Sequence, residues 1–439
     1  MNTPSSPRAA SVSASPDASA APSLTTGHAP MVIIGAGQTG ARTAHALRDN
    51  GWTGGITLLG DERAAPYDRP PLSKGVLLGQ KTADECALYD AAFYRDHEID
   101  LRTDTRVTAI DRSARRVMLA NGDSVPFHRL LIATGAEPRR LAVRGESLRG
   151  VHYLRTLPDA LGIVDTLVAG QRIAIVGAGF IGLEIAATAM ARGCEVVVIE
   201  AAARALMRAV PEIVAEYLVD KHRAMGVDVR FATQVDAILG ESHVTGLKLS
   251  DGTTLACHAV VVGIGVTPRT ALAEAAGIDV ADGIAVDDTL RTNDPTIFAA
   301  GDVCSFPHRL FRRRIRLECW RNAEDHAKVV ARNMLEFGET YSAVPWFWSD
   351  QYEMTIQIAG MPAFGTTSVV RETGSASRVF FALDDDGVMV GASGVGAIGD
   401  IARDVRIAQE LIARRAIVPA ALLADRSIKL KSLLTAEAA

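Results

Sequence analysis

At 439 residues the chain exceeds what one hydrophobic core usually organises, so two or three domains are expected. Its 46 Lys plus Arg against 51 Asp plus Glu, a net charge of -5, give no global attraction to nucleic acid or to an anionic membrane. No apolar run approaches the ~20 residues of a membrane-spanning helix. The five cysteines are scattered without any CxxC or CxxxxC, which argues against a zinc ribbon or an adjacent redox dithiol and fits a reducing, cytoplasmic compartment.

Residues 1–28 are Ser, Ala, Pro and Thr with little charge and no continuous apolar segment, which predicts a disordered tail and not a secretory signal. Folded sequence begins at Met31-Val32-Ile33-Ile34, a short apolar strand ending in GAGQTG, with glycines at Gly35, Gly37 and Gly40. A helix over 39–50 and a strand over 56–60 complete a βαβ unit. The same order recurs as a strand over 172–176, GAGFIG with Gly177, Gly179 and Gly182, a helix over 183–192 and a strand over 194–200. Two such units imply two doubly wound α/β domains.

Three other segments match flavin motifs: LIATGA at 131–136, VGIGVTP at 262–268 with Gly265, and IFAAGDV at 297–303. They return the chain to the first unit, so the nicotinamide domain is expected as an insert, 139–264, within a flavin domain made of 29–138 and 265–340. From about residue 341 alternating strands, such as 378–383, precede a helix over 400–414. A small α+β domain at 341–434 is predicted. The fold class is therefore α/β, resembling glutathione reductase in its nested domains, with an α+β domain at the C-terminus.

A GxGxxG turn brings backbone N–H groups at a helix N-terminus to a pyrophosphate, because glycine alone permits the turn and the close approach. Two copies, each between an apolar strand and a helix, predict FAD at the first and NADH at the second. The acid after each second strand, Asp61 or Glu200, is expected to accept hydrogen bonds from an adenosine ribose. A carboxylate at Glu200 suits a free 2′-OH and repels a 2′-phosphate, which favours NADH over NADPH. Arg204 is read equally as a solvated helix face, and Arg208 is placed near the cofactor phosphates. Asp302, in AAGDV, is expected beside the flavin ribityl chain at a further helix N-terminus.

With these residues assembled, the chain resembles the FAD-dependent, NADH-using ferredoxin reductases of bacterial oxygenase systems, the putidaredoxin reductase and biphenyl dioxygenase ferredoxin reductase family. The resemblance runs from about Met31 to Leu434. Its more specific carriers are PYDRPPLSK at 66–74, YLRTL at 153–157, Gly182-Leu183-Glu184 and PWFWSDQY at 345–352. It implies an ion pair of Lys74 and Glu184 beside flavin N5, where a cation stabilises the reduced flavin and a carboxylate keeps the lysine paired. It also implies flavin contacts from Arg69, Val107, Arg155, Asp302 and Trp320, and a place for Trp348 between flavin and ferredoxin. On their own evidence Val107 is a strand residue, Trp320 a packing residue and Trp348 the core of a strand.

Disulfide-reductase relatives carry CxxxxC where this chain has PPLSKG, so electrons must leave the flavin for an external acceptor. The expected path is hydride from NADH to FAD, then single electrons to a [2Fe-2S] ferredoxin. Arg309, Arg312, Arg313, Arg314 and Arg316 form a candidate docking cluster for such an acidic partner. Rubredoxin, a quinone or oxygen are alternative acceptors. A third alternative is an NADH-sensing interaction protein resembling apoptosis-inducing factor. No protein metal site, nucleic acid or membrane partner is expected.

Overall fold

The structure, a computed structural model, describes residues 29–207 and 209–434. The expected tail at 1–28 and Arg208 lie outside the described residues. Two five-stranded parallel sheets form the α/β part. The first runs in the spatial order Ile297–Ala299, Arg129–Ile132, Met31–Ile34, Ile56–Leu59, Ile99–Arg102. The second runs Asp228–Arg230, Glu195–Ile199, Arg172–Val176, Ala259–Val262, Val151–Tyr153. Their central strands are almost wholly apolar because both faces are covered, by helices on one side and on the other by a small antiparallel sheet, Val107–Asp111, Arg116–Leu119 and Ser124–Pro126 for the first and Val235–Leu239, Gly246–Leu249 and Thr254–Ala256 for the second.

Strand Ile297–Ala299 joins the first sheet from far along the chain, so the second sheet is inserted between two parts of the first. The chain leaves and returns through a short antiparallel ribbon, Ala136–Pro138 against Val266–Pro268. Residues of both nucleotide-binding turns line one space.

The third unit is a five-stranded antiparallel sheet in the order Trp346–Gln351, Met354–Gly360, Met389–Gly396, Arg378–Leu383, Thr367–Glu372, covered by the helix Ile398–Ala413. It is not a separate appendage. One apolar cluster contains Leu72 and Leu77 of the first unit, Ile185 and Leu218 of the second, and Ile356, Phe380 and Val395 of the third. Burial of that shared surface fixes where the strand Trp346–Gln351 lies.

Three local expectations are corrected. The second βαβ helix spans Phe180–Ala191 and begins three residues before the expected start. Its third glycine, Gly182, lies inside the first turn, where a Cβ would stand 2.1 Å from the carbonyl oxygen of Gly177. Asp302 sits in a single 3-10 turn, Gly301–Val303, not at the start of an α-helix. The segment around Arg204 is a series of bends and turns and not a helix face, because its carbonyls are satisfied by the arginine itself.

Candidate active site

Both GxGxxG turns open onto one cavity of about 1020 Å³. That is at the upper end of the roughly 300–1,000 Å³ typical of single-ligand sites. The glycines divide the work. Gly35 has φ +110 and a Cβ there would meet the Ala133 carbonyl oxygen at 2.1 Å, while Gly40 packs against the Gly35 carbonyl. Gly37, by contrast, has nothing within 4 Å of where a Cβ would be, and it lines the cavity. Gly177, Gly182 and Gly179 repeat this pattern, with Gly179 facing the open space. Beside Gly37 the side-chain amide of Gln38 is buried on the cavity wall without a hydrogen-bond partner among the described residues. The arrangement of two tight turns, two open glycines and an unpartnered amide fits a phosphate-bearing dinucleotide at each helix N-terminus.

On the cavity wall Lys74 Nζ lies 2.7 Å from Glu184 Oε1. Glu184 projects from the helix Phe180–Ala191, and Lys74 ends the 3-10 turn Pro70–Ser73. The turn is pinned to the helix twice, as Ser73 Oγ donates to Glu184 Oε2 at 2.5 Å and Thr188 Oγ1 donates to the Ser73 carbonyl at 2.9 Å. Ser349 Oγ donates to Glu184 Oε1 at 2.6 Å from the C-terminal sheet. The carboxylate is 6% exposed, so these donors and the ammonium replace the water it has lost.

A second set of charges lines the same wall. Arg69 pairs with Glu62 at 2.7 Å and donates to the Arg155 carbonyl. Arg155 in turn pairs with Asp302 at 3.1 Å. Tyr67 donates to Glu62 at 2.6 Å, and burial pushes its phenol well above the ordinary range. Burial acts to raise the Glu62 carboxyl, yet Arg69 and the Tyr67 hydroxyl outweigh it and hold the group below its usual value. Trp320 donates its indole N–H to Asp68 at 2.8 Å and meets Trp348 edge-on at 5.9 Å. Trp348 stacks on Trp346 at 5.2 Å.

At the second turn Glu200 Oε2 accepts from the Ala178 N–H and Oε1 from the Ala202 N–H, both at 2.8 Å. The carboxylate is thus aimed across the cavity wall beside Gly179. Arg204 lines the cavity but spends its guanidinium on the carbonyls of Ala205, Met207 and Val210. Asp61 lines the cavity too, but one residue beyond the position that matches Glu200: Gly35 N–H binds the Leu59 carbonyl as Gly177 N–H binds that of Ile199, so Gly60 is the counterpart. Asp61 pairs with Arg269 at 3.3 Å and Arg106 at 3.7 Å.

Of the residues expected at the site, Val107 is not on the cavity wall, since it packs against the core of the first sheet. Gly265, Arg155, Asp302, Trp320 and Trp348 all are. Sequence reasoning missed Gln38, Glu62, Asp68 and Ser349. Asp68 and Ser349 lie in the segments 66–74 and 345–352 singled out above, whereas Gln38 and Glu62 lie outside them.

Residues 29–327 match the family model described as pyridine nucleotide-disulphide oxidoreductase, and residues 346–434 match the one described as reductase C-terminal. The chain is 42% identical, over 92% of its length and 99% of the relative's, to the ferredoxin–NAD(+) reductase component of the anthranilate 1,2-dioxygenase system of Burkholderia cepacia. It belongs to the pyridine nucleotide-disulphide oxidoreductase family. Among solved structures, the putidaredoxin reductase of a covalent complex with putidaredoxin superposes with a TM-score of 0.88 at 35% identity, covering 93% of this chain and 98% of that one. The ferredoxin reductase for the CYP199A2 system of Rhodopseudomonas palustris does so with a TM-score of 0.88 at 37% identity, covering 92% and 99%. Within the family this chain is a ferredoxin–NAD(+) reductase that uses FAD and NAD(H).

The disulphide of the family name has no counterpart in it. All five cysteines are free, and Cys319 is the one that lines the cavity, its thiol pushed up to about 12 by burial. Among the described residues no helix is long and apolar enough to cross a membrane. The expected arginine cluster is only partly available for a partner. Arg309 pairs with Asp288 at 2.7 Å, Arg314 donates to the carbonyls of Ser305 and Val286, and Arg316 is held by Asp282 and Glu318. Arg312 and Arg313 are exposed and have no carboxylate partner among the described residues.

Proposed function

We propose that the chain draws electrons from NADH into bound FAD and delivers them to a [2Fe-2S] ferredoxin that feeds an oxygenase. The observation that carries this reading is the single cavity shared by two dinucleotide turns, closed by Lys74 and Glu184 and bordered by Trp348, with no dithiol on its wall. When bound, FAD supplies the chemistry by taking an electron pair as hydride and giving electrons up singly.

The protein's part is placement and electrostatics. The Gly35–Gly40 turn would hold a pyrophosphate, Asp302 and Arg155 would offer an acceptor and donors beside it, and Lys74 would present positive charge on the same wall. Glu184 keeps that ammonium oriented, because an unpaired cation at this depth would be costly. The Gly177–Gly182 turn and Glu200 hold the second dinucleotide, with the carboxylate selecting a free ribose hydroxyl. One cavity lined by both turns would bring hydride donor and acceptor together.

For the partner, the exposed Arg312 and Arg313, which hold no carboxylate among the described residues, together with Arg309, Arg314 and Arg316 nearby in the chain, support an acidic ferredoxin docking at this face. Arg316 also donates toward the Asp302 carbonyl at 3.5 Å, which links the face to the cavity rim.

The test is NADH oxidation by the flavin-loaded protein with a [2Fe-2S] ferredoxin, a rubredoxin, a quinone and oxygen supplied separately. Fastest turnover with the ferredoxin is expected. Faster turnover with another acceptor would move the assignment to it, and no turnover with any of them would favour an NADH-sensing role.

A further inference from the structure

Glu184 Oε1 is the end point of a buried chain of hydrogen bonds that the ion pair itself does not require. Ser349 Oγ contacts that oxygen at 2.6 Å, Gln351 Nε2 contacts Ser349 Oγ at 3.1 Å, His222 Nε2 contacts Gln351 Oε1 at 2.8 Å, and Tyr352 Oη contacts His222 Nδ1 at 3.0 Å. Ser349, Gln351 and His222 are all at most 2% exposed.

The direction of every link follows from the carboxylate. An ionised Glu184 only accepts, so Ser349 donates to it and must accept from the amide N–H of Gln351. The Gln351 carbonyl then faces His222 and requires an Nε2–H. That leaves Nδ1 as an acceptor for the Tyr352 hydroxyl. Burial lowers the affinity of His222 for a second proton, which keeps this neutral tautomer in place. Four donors in series therefore point toward one negative charge, and aligned links of this kind reinforce one another in a low-dielectric interior.

The chain also crosses all three units. Lys74 comes from the first, Glu184 and His222 from the second, and Ser349, Gln351 and Tyr352 from the third. Tyr352 adopts φ 56, which a bulky side chain rarely takes, at the hairpin turn that delivers its hydroxyl to His222. Trp348 and Ser349 are neighbours on the strand Trp346–Gln351, so the segment that borders the cavity with an indole holds the ion pair with its next residue.

We infer that Ser349, backed by Gln351, His222 and Tyr352, is a positioning residue through which the C-terminal unit offsets the charge of Glu184 and so tunes the reduction potential of the bound flavin. This rests on the FAD-dependent reading above. Donor dipoles aimed at Glu184 make its surroundings less negative. Without them, a reduced flavin carrying extra negative charge is less favoured, and the midpoint potential falls.

The experiment is spectroelectrochemical titration of the flavin-loaded full chain, with flavin content and melting temperature measured in parallel. Ser349→Ala is expected to lower the midpoint potential, and Tyr352→Phe, which keeps the ring, to lower it by a smaller amount in the same direction. Ser349→Thr, which keeps the hydroxyl, is expected to stay near the parent. A purely structural role would lower the melting temperature and leave the potential of the remaining holoprotein unchanged. An unchanged or raised potential in Ser349→Ala at normal flavin content overturns the inference alone. Failure of the parent protein to bind flavin overturns the reading beneath it as well.

Discussion

Glu200 accepts the backbone N–H of Ala178 at 2.8 Å, so the carboxylate that follows one strand is locked onto the glycine turn that follows its neighbour. The turn thereby presents a fixed negative charge beside Gly179, where an adenosine ribose would lie. Glu200→Gln keeps the shape and removes the charge. The ratio of kcat/KM for NADH to that for NADPH should fall by roughly tenfold, equivalent to about 1.4 kcal/mol of lost discrimination. Steady-state kinetics with the two nucleotides measure it, and an unchanged ratio would remove Glu200 from the selection.

Gly37 and Gly40 should respond oppositely to the same added methyl. A Cβ at Gly37 meets no protein atom within 4 Å, whereas one at Gly40 meets the Gly35 carbonyl at 2.0 Å. Gly37→Ala is therefore expected to fold with the parent's apoprotein melting temperature yet lose flavin. Gly40→Ala should lose stability in the apoprotein itself. Flavin absorbance per chain and thermal melts separate the two outcomes.

Lys74→Met leaves Glu184 buried with hydroxyl donors but no cation. Breaking a pair at this depth should cost about 3 kcal/mol, the lower end for buried pairs because Lys74 retains a quarter of its exposure. Adding Glu184→Gln should restore most of that stability without restoring the rate of flavin reduction by NADH. Urea unfolding of the two variants and stopped-flow reduction test both halves. Equal stability of parent and Lys74→Met would show that the pair is not desolvated.

The arginines at the proposed docking face should divide by what they already hold. Arg312→Ala with Arg313→Ala is expected to slow ferredoxin reduction at low ionic strength and to matter little at high salt, because exposed charges steer encounter and are screened. Arg314→Ala should instead lower the melting temperature, since it removes donors from the Ser305 and Val286 carbonyls. Salt-dependent rates alongside melts provide the comparison.

His326 is wholly buried and accepts the Gly301 N–H at 3.1 Å, and burial lowers its pKa from 6.5 to about 3. Between those values the unfolded chain binds a proton that the folded chain does not, so stability falls as pH drops from about 6.5 toward 3. In His326→Gln this part of the acid sensitivity should disappear. Unfolding free energies at pH 7 and pH 5 give the slope, and an unchanged slope would assign the acid sensitivity to other groups.

How much of this was legible in the chain depends on the range of the interaction. The two glycine turns could be read because each is dictated by contacts within one βαβ unit, such as Gly182 against Gly177. The place of Glu200, at the end of the second strand beside the glycine turn, could be read for the same reason. The role of Asp61 was less secure, since a single extra glycine, Gly60, shifts the acid past the matching position and into pairs with Arg269 and Arg106. The arginine cluster looked uniform by composition. Its members separate only when Asp288, Asp282 and Glu318 approach Arg309 and Arg316 from elsewhere.

By itself the sequence determined the two nucleotide-binding units, each a strand, glycine turn, helix and strand, and the absence of a dithiol, because local sterics and hydrophobic periodicity leave few alternatives. Only the tertiary structure decided that Glu184 is served by Ser73 and Ser349, that His222 and Tyr352 stand behind it, and that Val107 stays off the cavity wall. The contacts to Glu184 come from three units burying one shared apolar surface, and the place of Val107 from the core of the first sheet. The energy of that burial is spread over many side chains, so no single motif announces which polar groups it will bring together.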